Sequence, residues 1–253
     1  AGGSSATRGL SGGGVTPSWP ANNVIDYFTL ATTANAQEFG DLIESGSYGK
    51  ACLANSTRLL WCGGYSVPDG GNTNAVSYST IATLGDAQDF GDLTVKGGIC
   101  KAANSTTRGI IGGRYEGPAP NLTMDFVTIS SRGNAVDFGD TLPSTGQSGG
   151  ACESSTRALW SGSYSNVIGF ITIATTGNMV DFGDTNTARG HRPAVSSPTR
   201  GMWCGGRNPV SPYPSETNVD YVEIATLGNG KDFGDLTQGR HAGGGTSNGH
   251  GGL

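Results

Sequence analysis

Acidic residues that recur in fixed company are the first candidates for chemistry. Five near-copies of one phrase run through the 253 residues: Glu38-Phe39-Gly40-Asp41, Asp89-Phe90-Gly91-Asp92, Asp137-Phe138-Gly139-Asp140, Asp181-Phe182-Gly183-Asp184 and Asp232-Phe233-Gly234-Asp235. Each places two carboxylates three positions apart, and paired carboxylates can divide acid and base work when their environments differ. Fivefold repetition argues for another role. A catalytic site is one asymmetric constellation, whereas a structural role returns in every unit. Asp41, Asp92, Asp140, Asp184 and Asp235 are therefore expected to accept turn amides and to pair with a recurring arginine in charge-assisted contacts. The glycine of each phrase is expected at positive φ or at a close strand approach, and the Phe between units.

Other reactive types are sparse. No Gly-x-Ser-x-Gly elbow occurs, and the three histidines are His191, His241 and His250. His191 and His241 fall in successive links after two of the repeated phrases, beside Arg189, Arg192 and Arg240. They form a basic cluster that is either a set of exposed loop cations or a seat for an anionic group. Asn55, Asn104 and Asn121 each open an Asn-x-Thr/Ser triplet; the first two read as turn residues at one hairpin. Five cysteines are present. Cys52, Cys100 and Cys152 are expected at matching places in three repeats, and Cys62 and Cys204 at matching places in a second strand. This pattern reads as free structural thiols, with a Cys52–Cys62 bridge as the alternative. No zinc spacing, calcium loop or phosphate-binding loop appears, so no metal and no cofactor is expected.

The net charge of -5 argues against nucleic acid, and no apolar run is long enough for a membrane-spanning helix. The chain opens at Ala1 in the middle of a repeat, and so reads as a processed product or a piece of a longer protein.

The elements that position these residues follow from the spacing. The five Phe residues stand 51, 48, 44 and 51 residues apart. A period near 50 marks one supersecondary unit repeated. With 44 glycines, few charges, and Thr, Ser, Val, Ile and aromatics in the periodic stretches, the units read as short strands and turns. Twelve residues before each Phe stands an aromatic (Tyr27, Tyr78, Phe126, Phe170, Tyr221), and nine before it Leu30, Ile81, Ile129, Ile173 or Ile224. Four before it stands Asn or Asp, after Gly in four copies, which predicts a tight hairpin. The other half of the unit is anchored by Thr-Arg at Arg8, Arg58, Arg108, Arg157 and Arg200, followed by an apolar strand closing on small residues. Each unit thus holds a small-residue strand, a Gly-Gly strand, an aromatic strand and the Phe-Gly-Asp strand.

The double glycine, the variable loop and the Asp26-Tyr27, Asp125-Phe126 and Asp220-Tyr221 pairs resemble the kelch repeat, with Phe where that repeat usually has Trp. The resemblance implies one all-β domain over residues 1–253. That domain is a five-bladed β-propeller with four antiparallel strands per blade and landmarks at 39–41, 90–92, 138–140, 182–184 and 233–235. Its ring is expected to close by the N- and C-terminal segments sharing one sheet, which removes an open edge.

Length variation points to function. The segments 16–24, 65–75, 115–123, 164–167 and 207–218, between second and third strands, range widely in length and hold eight of the eleven prolines. They carry Trp19, Tyr65, Tyr115, Tyr164 and Tyr213. Variable loops on one face of a rigid scaffold are how binding surfaces are built, and Tyr and Trp give contact area at low entropic cost. With His191, Arg192, Arg240 and His241 in the links on the same face, these are the candidate ligand-binding residues. The expected function is non-enzymatic recognition of a glycan or protein. The wording of the repeats resembles repeat-rich proteins of marine cyanobacterial phages, which implies a virion or tail-fibre setting at the virion surface or outside cells. The implied partners are a host-surface glycan or protein, or other virion proteins. An architectural virion role and a glycan-active enzyme are the alternatives.

Overall fold

Each repeat becomes one antiparallel sheet of four strands. The computed structural model describes residues 1–15, 22–44, 47–116, 120–146, 149–162 and 164–245. Sheet 1 holds Gly2–Ser4, Arg8–Gly12, Val24–Thr29 and Gln37–Asp41. Sheet 2 holds Ala51–Ala54, Arg58–Cys62, Ala75–Thr80 and Gln88–Asp92. Lys101–Asn104, Arg108–Gly112, Thr123–Thr128 and Val136–Asp140 make sheet 3. Ala151–Glu153, Arg157–Ser161, Ser165–Thr172 and Val180–Arg189 make sheet 4. Ala194–Ser196, Arg200–Cys204, Asn218–Glu223 and Lys231–Asp235 make sheet 5. In all five the strands lie in sequence order, as short local connections favour. The architecture is all-β and propeller-like.

The first hairpin is fixed by side-chain caps. Oxygen atoms of Ser5, Asn55, Ser105, Ser154 and Ser197 each accept the amides two and three residues later, the local turn bonding these residue types favour. Asn55 therefore serves the turn as expected. Asn104 does not, because it stands one position earlier, where its side chain donates to the carbonyls of Ala54 and Ser105 at 2.8 Å.

The Phe-Gly-Asp strand carries a bulge against the third strand, with register shifts at the residue pairs 25/26, 76/77, 124/125, 168/169 and 219/220. Its glycine takes φ of 133° to 152° in every copy, as expected. The conformation brings the strand onto the next sheet. Gly85, Gly133, Gly177 and Gly228 donate their amides to the carbonyls of Phe39, Phe90, Phe138 and Phe182 at 2.7–3.0 Å. Each Gly-Asn/Asp pair is thus spent on the neighbouring sheet. It does not make the predicted tight hairpin, and in sheet 2 residues 81–87 join the third and fourth strands.

The core is a series of slabs between consecutive sheets, lying between sheets 1 and 2, 2 and 3, 3 and 4, and 4 and 5. Phe39, Phe90, Phe138 and Phe182 are buried in them, each edge-on to the aromatic of its own third strand. The recurring arginines do not pair with the repeated aspartates. Arg8, Arg58, Arg108 and Arg157 donate instead to the carbonyls of Ile81, Ile129, Ile173 and Ile224 on the next sheet at 2.8–3.2 Å. Each also lies over its own sheet's aromatic, 4.3–4.7 Å from the ring centroid.

The shared terminal sheet is not what forms among the described residues. Gly2–Ser4 supplies sheet 1 with its own first strand, so that sheet has no vacant place for the C-terminal segment. Sheet 5 is likewise completed by residues 194–235.

Candidate functional site

In a four-stranded antiparallel sheet the second-to-third loop and the link to the next sheet leave at one end. In the second unit that end is built into a small three-stranded sheet of Ser47–Tyr48, Tyr65–Ser66 and Gly71–Asn72. Tyr48 pairs with Tyr65, and their rings stack with centroids 5.2 Å apart. The third unit adds Tyr115, whose amide and carbonyl bond Gly98 at 2.7 and 2.9 Å. Asn72 Nδ2 also donates to the Tyr115 carbonyl at 2.6 Å. A Cβ on Gly98 would stand 2.6 Å from Asn72 Oδ1 and push that side chain aside. Tyr48, Tyr65, Asn72, Ile99 and Tyr115, with the two glycines, wall a cavity of about 300 Å³. Ile99 and Tyr115 are exposed at its rim. Ring faces beside phenol and amide groups suit a ligand with an apolar face and a polar edge, such as a sugar ring.

A second cluster occupies the same face over sheets 4 and 5. The Tyr164 ring lies edge-on to His191 at 5.9 Å, and His191 is 6.3 Å from His241. His241 Nδ1 meets Ser215 Oγ at 2.8 Å. Arg207 lies over Tyr213, 4.9 Å from its centroid. Burial, then His241 and Arg207, holds the His191 imidazole below its usual pKa. This cluster is therefore less cationic than its composition suggests.

The predicted residues divide accordingly. Tyr65 and Tyr115 meet in one pocket. Tyr164, His191 and His241 meet in the other cluster, with Tyr213 on its rim and Arg240 exposed beside it. Arg192 is not on the surface. It is buried, with Nη1 on Thr185 Oγ1 at 2.8 Å and Nη2 on the Ser165 carbonyl at 3.0 Å. Arg189 is buried too and ion-paired with Asp220, as Arg114 is with Asp125. Arg189 and Arg192 read as loop cations in sequence, and tertiary packing draws them inward. Trp19 and His250 lie outside the described residues. Tyr48, Asn72 and Ile99 were missed, although Tyr48 and Ile99 stand in inter-sheet links that leave at the loop end.

The first strands of all five sheets line a further cavity of about 140 Å³, with Gly2, Cys52, Ala102, Ala151 and Ala194 around it and Glu153 the acid on its wall. Burial pushes the Glu153 carboxyl up to about 8. Burial also raises the thiols of Cys62 and Cys152 and takes Cys52 up to about 11. All five cysteines are free, and no bridge joins Cys52 to Cys62. Raised, protonated thiols are poor nucleophiles. Among the described residues no group of three His, Cys, Asp or Glu side chains is placed to hold a metal ion, and no helix is long and apolar enough to cross a membrane.

Sheets of four sequential antiparallel strands, with their first strands around one cavity, define a propeller-like protein. The comparison of structures agrees. The solved structure described as "Structure of YjhT" is similar, with a TM-score of 0.77 at 10% identity, covering 97% of this chain and 86% of that one. At that identity the likeness concerns the fold alone. No protein-family model and no curated protein matches the chain.

Proposed function

We propose that the five sheets are blades of a propeller-like array around one cavity and that the protein is a non-enzymatic recognition module working through its loop face. The observation that carries this reading is the Tyr48–Tyr65–Tyr115 pocket. It breaks the repeat symmetry, whereas the Phe-Gly-Asp acids follow it. The ligand class we favour is a saccharide, seated with its C–H face on the tyrosine rings and its hydroxyls toward Asn72 and the phenols. A phage virion or tail-fibre setting, with host-surface polysaccharide as target, is supported by the wording of the repeats.

The test is binding of the purified chain to a panel of surface polysaccharide fragments, repeated with Tyr65→Ala and Tyr115→Ala. Each variant is expected to weaken binding about tenfold or more while the melting temperature changes little. Unchanged binding in both variants would refute the assignment, as would polysaccharide turnover by the unmodified protein. Enzymatic work at the central cavity is less well supported, because Glu153 is the one acid on the described wall and glycoside cleavage ordinarily needs two. A purely architectural role draws support from the unfilled sheet faces described next.

A further inference from the structure

The four inter-sheet junctions repeat one set of contacts, and sheets 5 and 1 make none of it among the described residues. Phe39, Phe90, Phe138 and Phe182 are 2–3% exposed, whereas Phe233 is 55% exposed. On the receiving side Ile81, Ile129, Ile173 and Ile224 are at most 2% exposed, and their counterpart Leu30 is 49% exposed. Phe28 is exposed as well, although its counterparts Val127, Ile171 and Val222 are buried. Arg200 reaches no carbonyl of another sheet. Its Nε turns back to Glu223 Oε1 at 2.7 Å, in solvent. A Cβ on Gly40, Gly91, Gly139 or Gly183 would stand 2.5–2.6 Å from the next sheet's turn, yet a Cβ on Gly234 would meet no described residue within 4 Å.

The chain after sheet 5 nevertheless follows the path of a link into another unit. Gly206 donates to the Arg240 carbonyl at 2.9 Å, as Gly14 does to Ser47 and Gly64 to Gly97 at 2.9 and 3.0 Å. Two residues beyond each acceptor stands a residue at positive φ: Gly49, Ile99 and Ala242. Three further on stand Cys52, Ala102 and Gly245, and all three line the central cavity. Gly245 occupies a sixth equivalent position there, beside Gly2, Cys52, Ala102, Ala151 and Ala194. A Cβ on Gly245 would run into Ala194 and Val195, so it lies against the first strand of sheet 5.

We infer that the seam between sheets 5 and 1 is a docking site for one further unit of this same repeat. The occupant has defined chemistry on both sides. Toward sheet 5 it presents an aliphatic residue with a free carbonyl for Arg200, and a Gly-Asn turn for Phe233 and Asp235. Toward sheet 1 it presents an arginine for the Leu30 carbonyl and a Phe-Gly-Asp strand for the turn at Ala34-Asn35. The faces are unlike each other and complementary, as head-to-tail interfaces are. Each of the four existing junctions is a template for them, and residues 242–245 already run in register as the start of such a unit. A second whole copy of the chain is a poorer fit, since Gly245 already holds the sixth place at the cavity that its first strand would need.

The experiment extends the full chain with a copy of its own residues 199–236 joined after Gly249, replacing the last four residues. The extended protein is expected to be monomeric, to melt several degrees higher, and to slow amide exchange at Phe233–Asp235 to the level of Phe182–Asp184. An unchanged melting temperature in a folded product overturns the inference. The unmodified chain gives an independent test. Phe233→Ala should leave its melting temperature nearly unchanged, whereas Phe182→Ala should lower it strongly. Equal losses would mean that sheets 5 and 1 already meet. Concentration-dependent dimerisation abolished by Phe233→Asp would assign the seam to a second copy. Either result overturns the inference.

Discussion

The amide of Asp92 donates to Asn134 Oδ1 at 3.0 Å across the junction of sheets 2 and 3, beside the backbone bonds from Gly133 and Ala135 that hold the same register. Asp41 on Asp86, Asp140 on Asn178 and Asp184 on Asn229 repeat the bond at 3.0–3.1 Å. Asn134 is exposed, so the bond is worth less than a buried one. Asn134→Ala is expected to cost about 0.5–1 kcal/mol, and Asn134→Asp to cost less, because Asp86 already fills this role in sheet 2. Denaturant melts of the three proteins measure the difference.

Glycine at the same junction is held by space as well as by backbone angle. Gly91 has φ of 143° and would bring a Cβ within 2.6 Å of the Gly133 backbone, whereas Gly234 at 135° has open space. Gly91→Ala is expected to cost about 2–4 kcal/mol, from strained backbone plus a displaced neighbour. Gly234→Ala should cost the backbone part alone. Equal losses would contradict the packing described for the junction.

These two residues mark what could be read from sequence. The period, the four strands per unit, the positive-φ glycine and the four buried Phe residues all follow from local pattern, because four of the five copies meet the same environment. Which neighbour a polar group bonds is a tertiary matter. The arginines were expected on the repeated aspartates, and four of the five lie on carbonyls one sheet away. Arg192 stands beside His191 in sequence, yet it turns into the protein while His191 stays in the loop cluster. Two of the three tyrosines of the pocket were legible, Tyr65 and Tyr115. Tyr48 was not, since a lone Tyr in a short link carries no periodic signal. The open seam was illegible for the same reason in reverse: Phe233 and Leu30 carry the repeat pattern whether or not a neighbour covers them.

Glu153 predicts a pH dependence. Its carboxyl titrates near 4.5 when unfolded and is pushed up to about 8 when folded, by burial. The folded state therefore holds its proton longer than the unfolded state. Stability should fall as pH rises from about 5 to about 8 and level off above. The slope is bounded by about 1.4 kcal/mol per pH unit and reduced by solvent reaching the group through the cavity. Glu153→Gln should flatten the profile in that window, and thermal melts from pH 5 to 8 read it directly. A profile unchanged by the substitution would place the carboxyl in open solvent.

Recognition by the loop face is tested most directly by a magnetic-resonance titration of the chain with a saccharide that binds it, followed residue by residue. Shifts should concentrate at Tyr48, Tyr65, Asn72, Gly98, Ile99 and Tyr115, with the opposite-end turn at residues 84–88 unmoved. Shifts centred on those turns, or on Glu153 and the central cavity, would contradict the account.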